Sequence, residues 1–150
     1  MLSFVVEHRP IGKGRPRFVK TRQGMRAVTP KPTRDFEEVV ADAALVALKA
    51  AGLKAPATPN GPVSISLRAV HRRPSRPDAD HPCRQTDERV RAPGGGGRPD
   101  LDNVIKAVLD ALNGVLWRDD AQVVQIMAEG WFAARGEDAC VEVEMVEVRR

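Results

Sequence analysis

The stretch Val63-Ser64-Ile65-Ser66-Leu67-Arg68-Ala69-Val70 alternates apolar and polar side chains without a break. Successive residues of a strand face opposite ways, so Val63, Ile65, Leu67 and Ala69 share one face and residues 63–70 read as a half-buried strand. Upstream, residues 55–62 carry three prolines and a glycine and read as a loop. Before it the apolar spacing changes to that of a helix over about 34–51, with Phe36, Val39, Val40, Ala43, Val46, Ala47 and Ala50 as its buried stripe. Thr33 is the expected N-cap, Asp35, Glu37 and Glu38 fall in the expected first turn, and Gly52 is the stop. Residues 2–7 read as a short strand with Leu2, Phe4 and Val6 on one face. Residues 11–18, with two glycines and a proline, read as a loop leading toward a hairpin through Gln23-Gly24.

Downstream the alternation fails. Residues 71–98 hold four prolines, the four glycines 94–97, and seven arginines against four acids. They offer almost nothing to a core and read as a mobile loop. Order resumes with a helix over 103–113, where Val104, Ile105, Val108, Leu109 and Leu112 are apolar and Asn113-Gly114 ends the pattern. Strands at 122–133 and 139–148 follow. The order β-α-β-(long loop)-α-β-β predicts an α+β fold: a single domain over 1–150, with helices packed on a mixed sheet.

The 150 residues carry a formal net charge of +4. Its distribution is uneven. Residues 1–34 contain nine Lys or Arg and one acid, a local balance of +8, which leaves −4 for the remainder. A basic end beside an acidic remainder points to a polyanionic partner and a separate carboxylate site; a merely solvated basic arm is the plain alternative. The absence of tyrosine excludes mechanisms that attack phosphate with a phenol. No apolar run is long enough to span a membrane and the N-terminus lacks the features of a signal peptide, so the cytoplasm is the expected compartment. Two cysteines, Cys83 and Cys140, cannot build a disulfide framework. His71, His81 and Cys83, with or without Cys140, match no zinc-binding spacing and read as solvated loop residues.

The chemistry concentrates in Arg98-Pro99-Asp100-Leu101-Asp102-Asn103-Val104-Ile105-Lys106. In extended backbone Asp100 and Asp102 would project to one side just before a helix, a hard-oxygen pair suited to Mg²⁺, with Mn²⁺ as a substitute. Asp119 and Asp120 follow the helix and could return to that pair. Lys106 lies four residues after Asp102, which suits a helical ion pair or contact with a scissile phosphate. Asp102 could also be a helix cap, and Asp110 could pair with Lys106. An isolated D-x-D is weak evidence. The P-D…(D/E)-x-K nuclease pattern is absent, because Lys106 is the only lysine after Asp100 and residue 104 is valine.

The run from Pro99 to Gly114, with Asp100-Leu101-Asp102-Asn103, Lys106-Ala107 and Asp110-Ala111-Leu112, is followed by Trp117-Arg118-Asp119-Asp120-Ala121-Gln122-Val123-Val124. This closely resembles the signature of RusA-type Holliday-junction resolvases, a D-L-D-N-x-x-K-A-x-x-D-A-L block and then W-x-D-D-A-Q-V-V. Lys13-Gly14-Arg15-Pro16-Arg17-Phe18 and Thr29-Pro30-Lys31 are also similar to members of that family. The resemblance implies a homodimeric, Mg²⁺-dependent endodeoxyribonuclease of DNA recombination and repair that recognises four-way junctions by shape and nicks opposing strands. It implies Asp100, Asp102 and Asp120 as catalytic metal ligands and Lys106 as an essential lysine, with Asp119 either a ligand or a shaper of the turn. The arginine- and glycine-rich 71–98 segment is longer than the compact members of the family carry.

Lys13, Arg15, Arg17, Lys20 and Arg98 are then the expected DNA contacts, and Lys106 the group that stabilises charge developing in the transition state. Branched DNA is the expected partner, with no membrane and no small-molecule substrate. Two rivals remain: a non-catalytic DNA-binding protein with structural aspartates, and a nuclease of the same fold acting on other branched or flap substrates. The chain shows no internal repeat that could supply a second set of aspartates, so paired nicking calls for a two-fold dimer. Trp117, Trp131, Phe132 and Val115 are the expected interface candidates.

Overall fold

A computed structural model describes residues 1–93 and 95–148; Gly94, within the glycine run, lies outside the described residues. The elements are β1 (Leu2–Val6), β2 (Arg17–Thr21), β3 (Gly24–Val28), α1 (Lys31–Ala50), β4 (Val63–His71), α2 (Pro82–Gln85), β5 (Val90–Arg91), α3 (Leu101–Leu112), a 3₁₀ turn at Asp120–Gln122, β6 (Val123–Phe132) and β7 (Cys140–Glu147). The mixed sheet runs β1-β7-β4-β6-β5, while β2 and β3 form a separate ribbon. Strand β4 pairs parallel to β6 and antiparallel to β7, and β1 pairs antiparallel to β7. Strands β1, β4 and β6 therefore all finish at the same end of the sheet. The α+β expectation holds.

The alternation at 63–70 does what it predicts. Val63, Ile65, Leu67 and Ala69 are buried and meet Val141, Val143 and Met145 of β7, Leu2 and Val6 of β1, and the two long helices. Those helices present Phe36, Val40, Ala44 and Leu48 from α1 and Val104, Ala107, Val108 and Leu112 from α3. No helix among the described residues is long and apolar enough to cross a membrane.

Several expectations need correction. Helix α1 begins at Lys31, capped by Pro30 without a side-chain bond, so Asp35, Glu37 and Glu38 lie beyond its first turn. Thr33 is not a cap. It is buried inside the helix, where its hydroxyl accepts from the Gly14 N–H at 3.0 Å and donates to the Gly12 carbonyl at 3.3 Å. The buried stripe is rotated relative to the expected one: Val46 is 69% exposed, Ala50 is exposed, and Ala44 and Leu48 take the inner positions. The C-terminal stop holds, because Gly52 at φ +69° closes a Schellman motif in which Leu53 N donates to Leu48 O and Gly52 N to Lys49 O.

The 71–98 segment is not the structureless loop its composition suggests. It carries α2 and β5. Cys83 is 1% exposed and His71 8%, so neither is a solvated loop residue. The Arg73 guanidinium donates to the carbonyls of Thr86, Glu88 and Ala133. Arg89 pairs with Glu137 and Glu142. Polar anchoring of this kind leaves no hydrophobic periodicity to read.

Candidate active site and nucleic-acid interface

Asp100 is the N-cap of α3, in extended geometry, and Asp102 lies in the first helical turn. The helix thus begins between them, and the extended-backbone argument for their common side does not apply. Both stand at the helix start, where the exposed N–H groups and dipole favour negative charge. Lys106 Nζ donates to Asp102 Oδ2 at 3.0 Å, the helical pair foreseen as one alternative. That bond holds the Asp102 carboxyl below its ordinary pKa, so it is anionic at neutral pH.

Asp119 and Asp120 do not return to this pair within the chain. Helix α3 runs back along the sheet for 12 residues, and Asp120 lies beyond its far end, where β6 begins. At 1.5 Å per residue this is on the order of 18 Å of helix axis. Asp119 shapes the turn: its Oδ1 accepts from Ala121 N at 2.8 Å, and Gln122 Oε1 accepts from Asp119 N at 3.0 Å, a capping box. Asp120 Oδ1 accepts from the Trp117 indole N–H at 3.3 Å. Trp117 is fully buried, so a rigid core ring aims at this carboxylate; the sequence reading missed that positioning role. Among the described residues no three His, Cys, Asp or Glu side chains form a group that could hold a metal ion.

The basic segment does dock beside the carboxylate pair. Lys13 N donates to the Asn103 carbonyl at 2.8 Å, in the first turn of α3. A Cβ on Gly12 would lie 2.9 Å from Pro99 Cβ, so the backbone there approaches closely because residue 12 is glycine. The Lys13 side chain is less free than a phosphate ligand should be. It is half-buried between Glu37 and Asp110, at 2.6 Å from each. Burial works against its charge, but the hydrogen bonds to Asp110 and Glu37 prevail and hold its pKa above the usual lysine value. Asp110 thus serves Lys13 rather than Lys106.

Beyond Lys13 the chain projects as the β2–β3 ribbon. Arg15, Arg17 and Lys20 are exposed there, together with Phe18 at 71% and Met25 at 66%. Those two apolar tips give no sequence signal, since isolated apolar residues also mark ordinary strands. Arg98 packs its guanidinium 4.6 Å over the Phe132 ring and donates to the Pro93 carbonyl at 3.1 Å. It stands near Asp100 but is held by the fold.

Of the expected interface residues, Trp117 and Phe132 are fully buried and unavailable. Val115 is half-buried, and Trp131 is half-buried with Arg91 4.4 Å over its ring. Strand β6, in contrast, exposes three apolar residues close together: Val124 at 59%, Ile126 at 45% and Met127 at 58%. Among the described residues, β5 covers the outer edge of β6 only at Trp131 and Phe132, with one further bond from Ala92 N to Gly130 O. Residues 123–129 therefore present an open strand edge.

Residues 7–145 match the sequence family described as Endodeoxyribonuclease RusA. Among individual proteins, the chain is similar to an uncharacterized protein, YqaN of Bacillus subtilis (strain 168), at 28% identity over 148 residues, covering 98% of this chain and 96% of that protein.

Proposed function

Because the chain belongs to the RusA endodeoxyribonuclease family, we propose that its 150 residues form one endonuclease domain that resolves four-way DNA junctions by paired, Mg²⁺-dependent nicking in recombination and repair. The observation that carries this reading is the docking of the basic loop on the carboxylate helix start through Lys13 N and Asn103 O. Carboxylates beside a phosphate-binding surface repel the ligand unless a cation stands between them, which disfavours a purely DNA-binding role.

The donor set suits a hard divalent ion: Asp100 and Asp102 are exposed oxygen donors and Asp102 is anionic. Asp100, Asp102 and Asp120 would hold it. Bound there, the ion would polarise the scissile phosphate and activate water for attack. Lys106, already beside Asp102, would exchange that ion pair for the charge developing on the phosphate. Arg15, Arg17 and Lys20 would bind the DNA backbone, while Lys13 and Arg98 act mainly by fixing the loops that carry the site.

Asp120 reaches the other two aspartates most simply from a second copy. Antiparallel pairing of two β6 edges sets the start of one β6 beside the finish of the other. Asp120 of one chain then lies toward Asp100 and Asp102 of its partner, and a homodimer has two sites for two strands. The test is cleavage of a labelled four-way junction against a linear duplex of the same sequence, with Mg²⁺ and with chelator. Paired nicks in the junction alone, dependent on the metal, are expected; equal cutting of the duplex or no cutting in Mg²⁺ overturns the proposal.

A further inference from the structure

We infer that the concavity walled by Arg72, Arg73, Arg76, Arg84 and Arg135 is a second phosphate-binding surface, one that seats the sugar–phosphate backbone of a duplex arm of the branched DNA substrate. The inference rests on the reading of the chain as a junction nuclease and adds a surface separate from the β2–β3 ribbon.

Five arginines line this concavity, and among the described residues no acidic residue lines it. Among the described residues only one of the five is paired with a carboxylate: Arg135 Nε lies 2.7 Å from Asp87 Oδ1. Arg73 gives its hydrogen bonds to backbone carbonyls, which position it without cancelling its charge. Among the described residues, Arg72, Arg76 and Arg84 have no carboxylate within ion-pair distance, and all three are exposed. Like charges gathered within a Debye length of about 10 Å repel, and an anion relieves that repulsion. The floor is firm, because Cys83 is buried and Pro74 and Pro77 stiffen the wall.

The chemistry selects phosphate esters. Guanidinium forks match phosphate oxygens in pairs, and the remainder of the wall is small or apolar. With no aromatic ring and no amide side chain in the wall, the surface would read charge and not bases. Its placement suits an extended strand. The segment leaves the sheet at His71, where β4 ends, and returns through β5 to Arg98 and Asp100. The concavity and the carboxylate helix start therefore share one end of the sheet, which is also the end where β1 finishes and the ribbon departs.

The test is fluorescence anisotropy of a labelled four-way junction in chelator, across a series of KCl concentrations. It compares wild type with the triple variant Arg72→Ser/Arg76→Ser/Arg84→Ser and with the triple variant Arg72→Lys/Arg76→Lys/Arg84→Lys. Each lost phosphate contact removes roughly 0.9 from the slope of log K against log salt. The serine variant should therefore bind about tenfold or more weakly near physiological salt, with a slope shallower by roughly 2 to 3. The lysine variant should keep most of both. Wild-type affinity and slope in the serine variant, or an equal loss in the lysine variant, overturns this surface and leaves the nuclease reading standing. Failure of the wild type to bind any DNA overturns the nuclease reading, and this surface with it.

Discussion

The Lys13 N–H and the Asn103 carbonyl, 2.8 Å apart, join the most basic part of the chain to the first turn of the helix that carries Asp100 and Asp102. Gly12 makes that approach possible. Gly12→Ala would put its Cβ 2.9 Å from Pro99 Cβ and 3.1 Å from Asn103 Cβ, and neither contact is the movable end of a long side chain. Overpacking of this kind costs about 1–3 kcal/mol. The melting temperature should fall, and cleavage should fall further than stability accounts for. An unchanged melting temperature would show that the loop yields without cost.

Asp100→Asn, Asp102→Asn and Asp120→Asn should each abolish cleavage in Mg²⁺ while leaving junction binding intact or tighter, since each removes a charge that repels phosphate. Lys106→Ala should lose cleavage with little change in unfolding, because among the described residues its only side-chain partner is the exposed Asp102. Gel-shift and nicking assays on the same preparations separate the two effects. Wild-type turnover in Lys106→Ala would leave only the helical ion pair as its role.

The legible parts of the fold were those set by apolar periodicity. The alternation at 63–70 and the helical run at 104–112 sit where their spacing puts them, and Gly52 and Gly114 stop their helices at positive φ. The start of α1 was misplaced, because Thr33 bonds to the Gly12–Gly14 loop across the fold and only resembles a local cap. The 71–98 segment was misread because guanidinium-to-carbonyl bonds and one buried cysteine hold it. At the site, the DLDN block located the helix start, but no spacing rule in one dimension shows that α3 carries Asp120 to the opposite end of the sheet. That separation comes from the direction of the helix along the sheet.

His71 gives the fold a pH dependence in mildly acid solution. Burial, and then the positive charge of Arg98, lower its pKa below the ordinary histidine value of about 6.5. In the unfolded chain the ring takes up a proton near that ordinary value, whereas in the fold it stays neutral to lower pH. The unfolded state therefore binds more protons below about pH 6.5, so this contribution is complete above that pH and declines as pH falls toward the folded value. Thermal melts between pH 7.5 and 5.5 should show this decline, and His71→Gln should flatten it. An equal pH dependence in the variant would assign the effect elsewhere.

Arg73 holds the arginine-rich segment to the sheet through the carbonyls of Thr86, Glu88 and Ala133. Arg73→Ala removes three bonds at one stroke and leaves the core untouched. Limited trypsin digestion should then cut at Arg84 or Arg89 faster than in wild type, while far-ultraviolet circular dichroism stays the same. Equal cutting rates would mean that the segment opens just as readily with Arg73 in place.

The proposed division of the aspartates between two chains makes the sharpest prediction. Val124, Ile126 and Met127 lie on a strand that carries no charge between Val123 and Ala128 and no proline, and whose outer edge is unpaired over residues 123–129 among the described residues. Such an edge invites pairing, and Lys is a common natural block to it. Val124→Lys/Met127→Lys should therefore run as a folded monomer by light scattering and lose cleavage, although it keeps all three aspartates. A complementation experiment distinguishes a shared site from a mere dimer requirement. Asp102→Asn and Asp120→Asn are each inactive alone. Unfolded together and refolded, they form mixed dimers in which one site combines the intact Asp100 and Asp102 of the Asp120→Asn chain with the intact Asp120 of the Asp102→Asn chain. That site should nick one strand of a junction, so the mixture should regain single-strand nicking without paired nicks. If each chain built its own site, every site in the mixture would still lack one carboxylate and no activity would return. Silence from a mixture shown by mass spectrometry to contain mixed dimers would thus place all three aspartates within one chain, against the direction in which α3 runs.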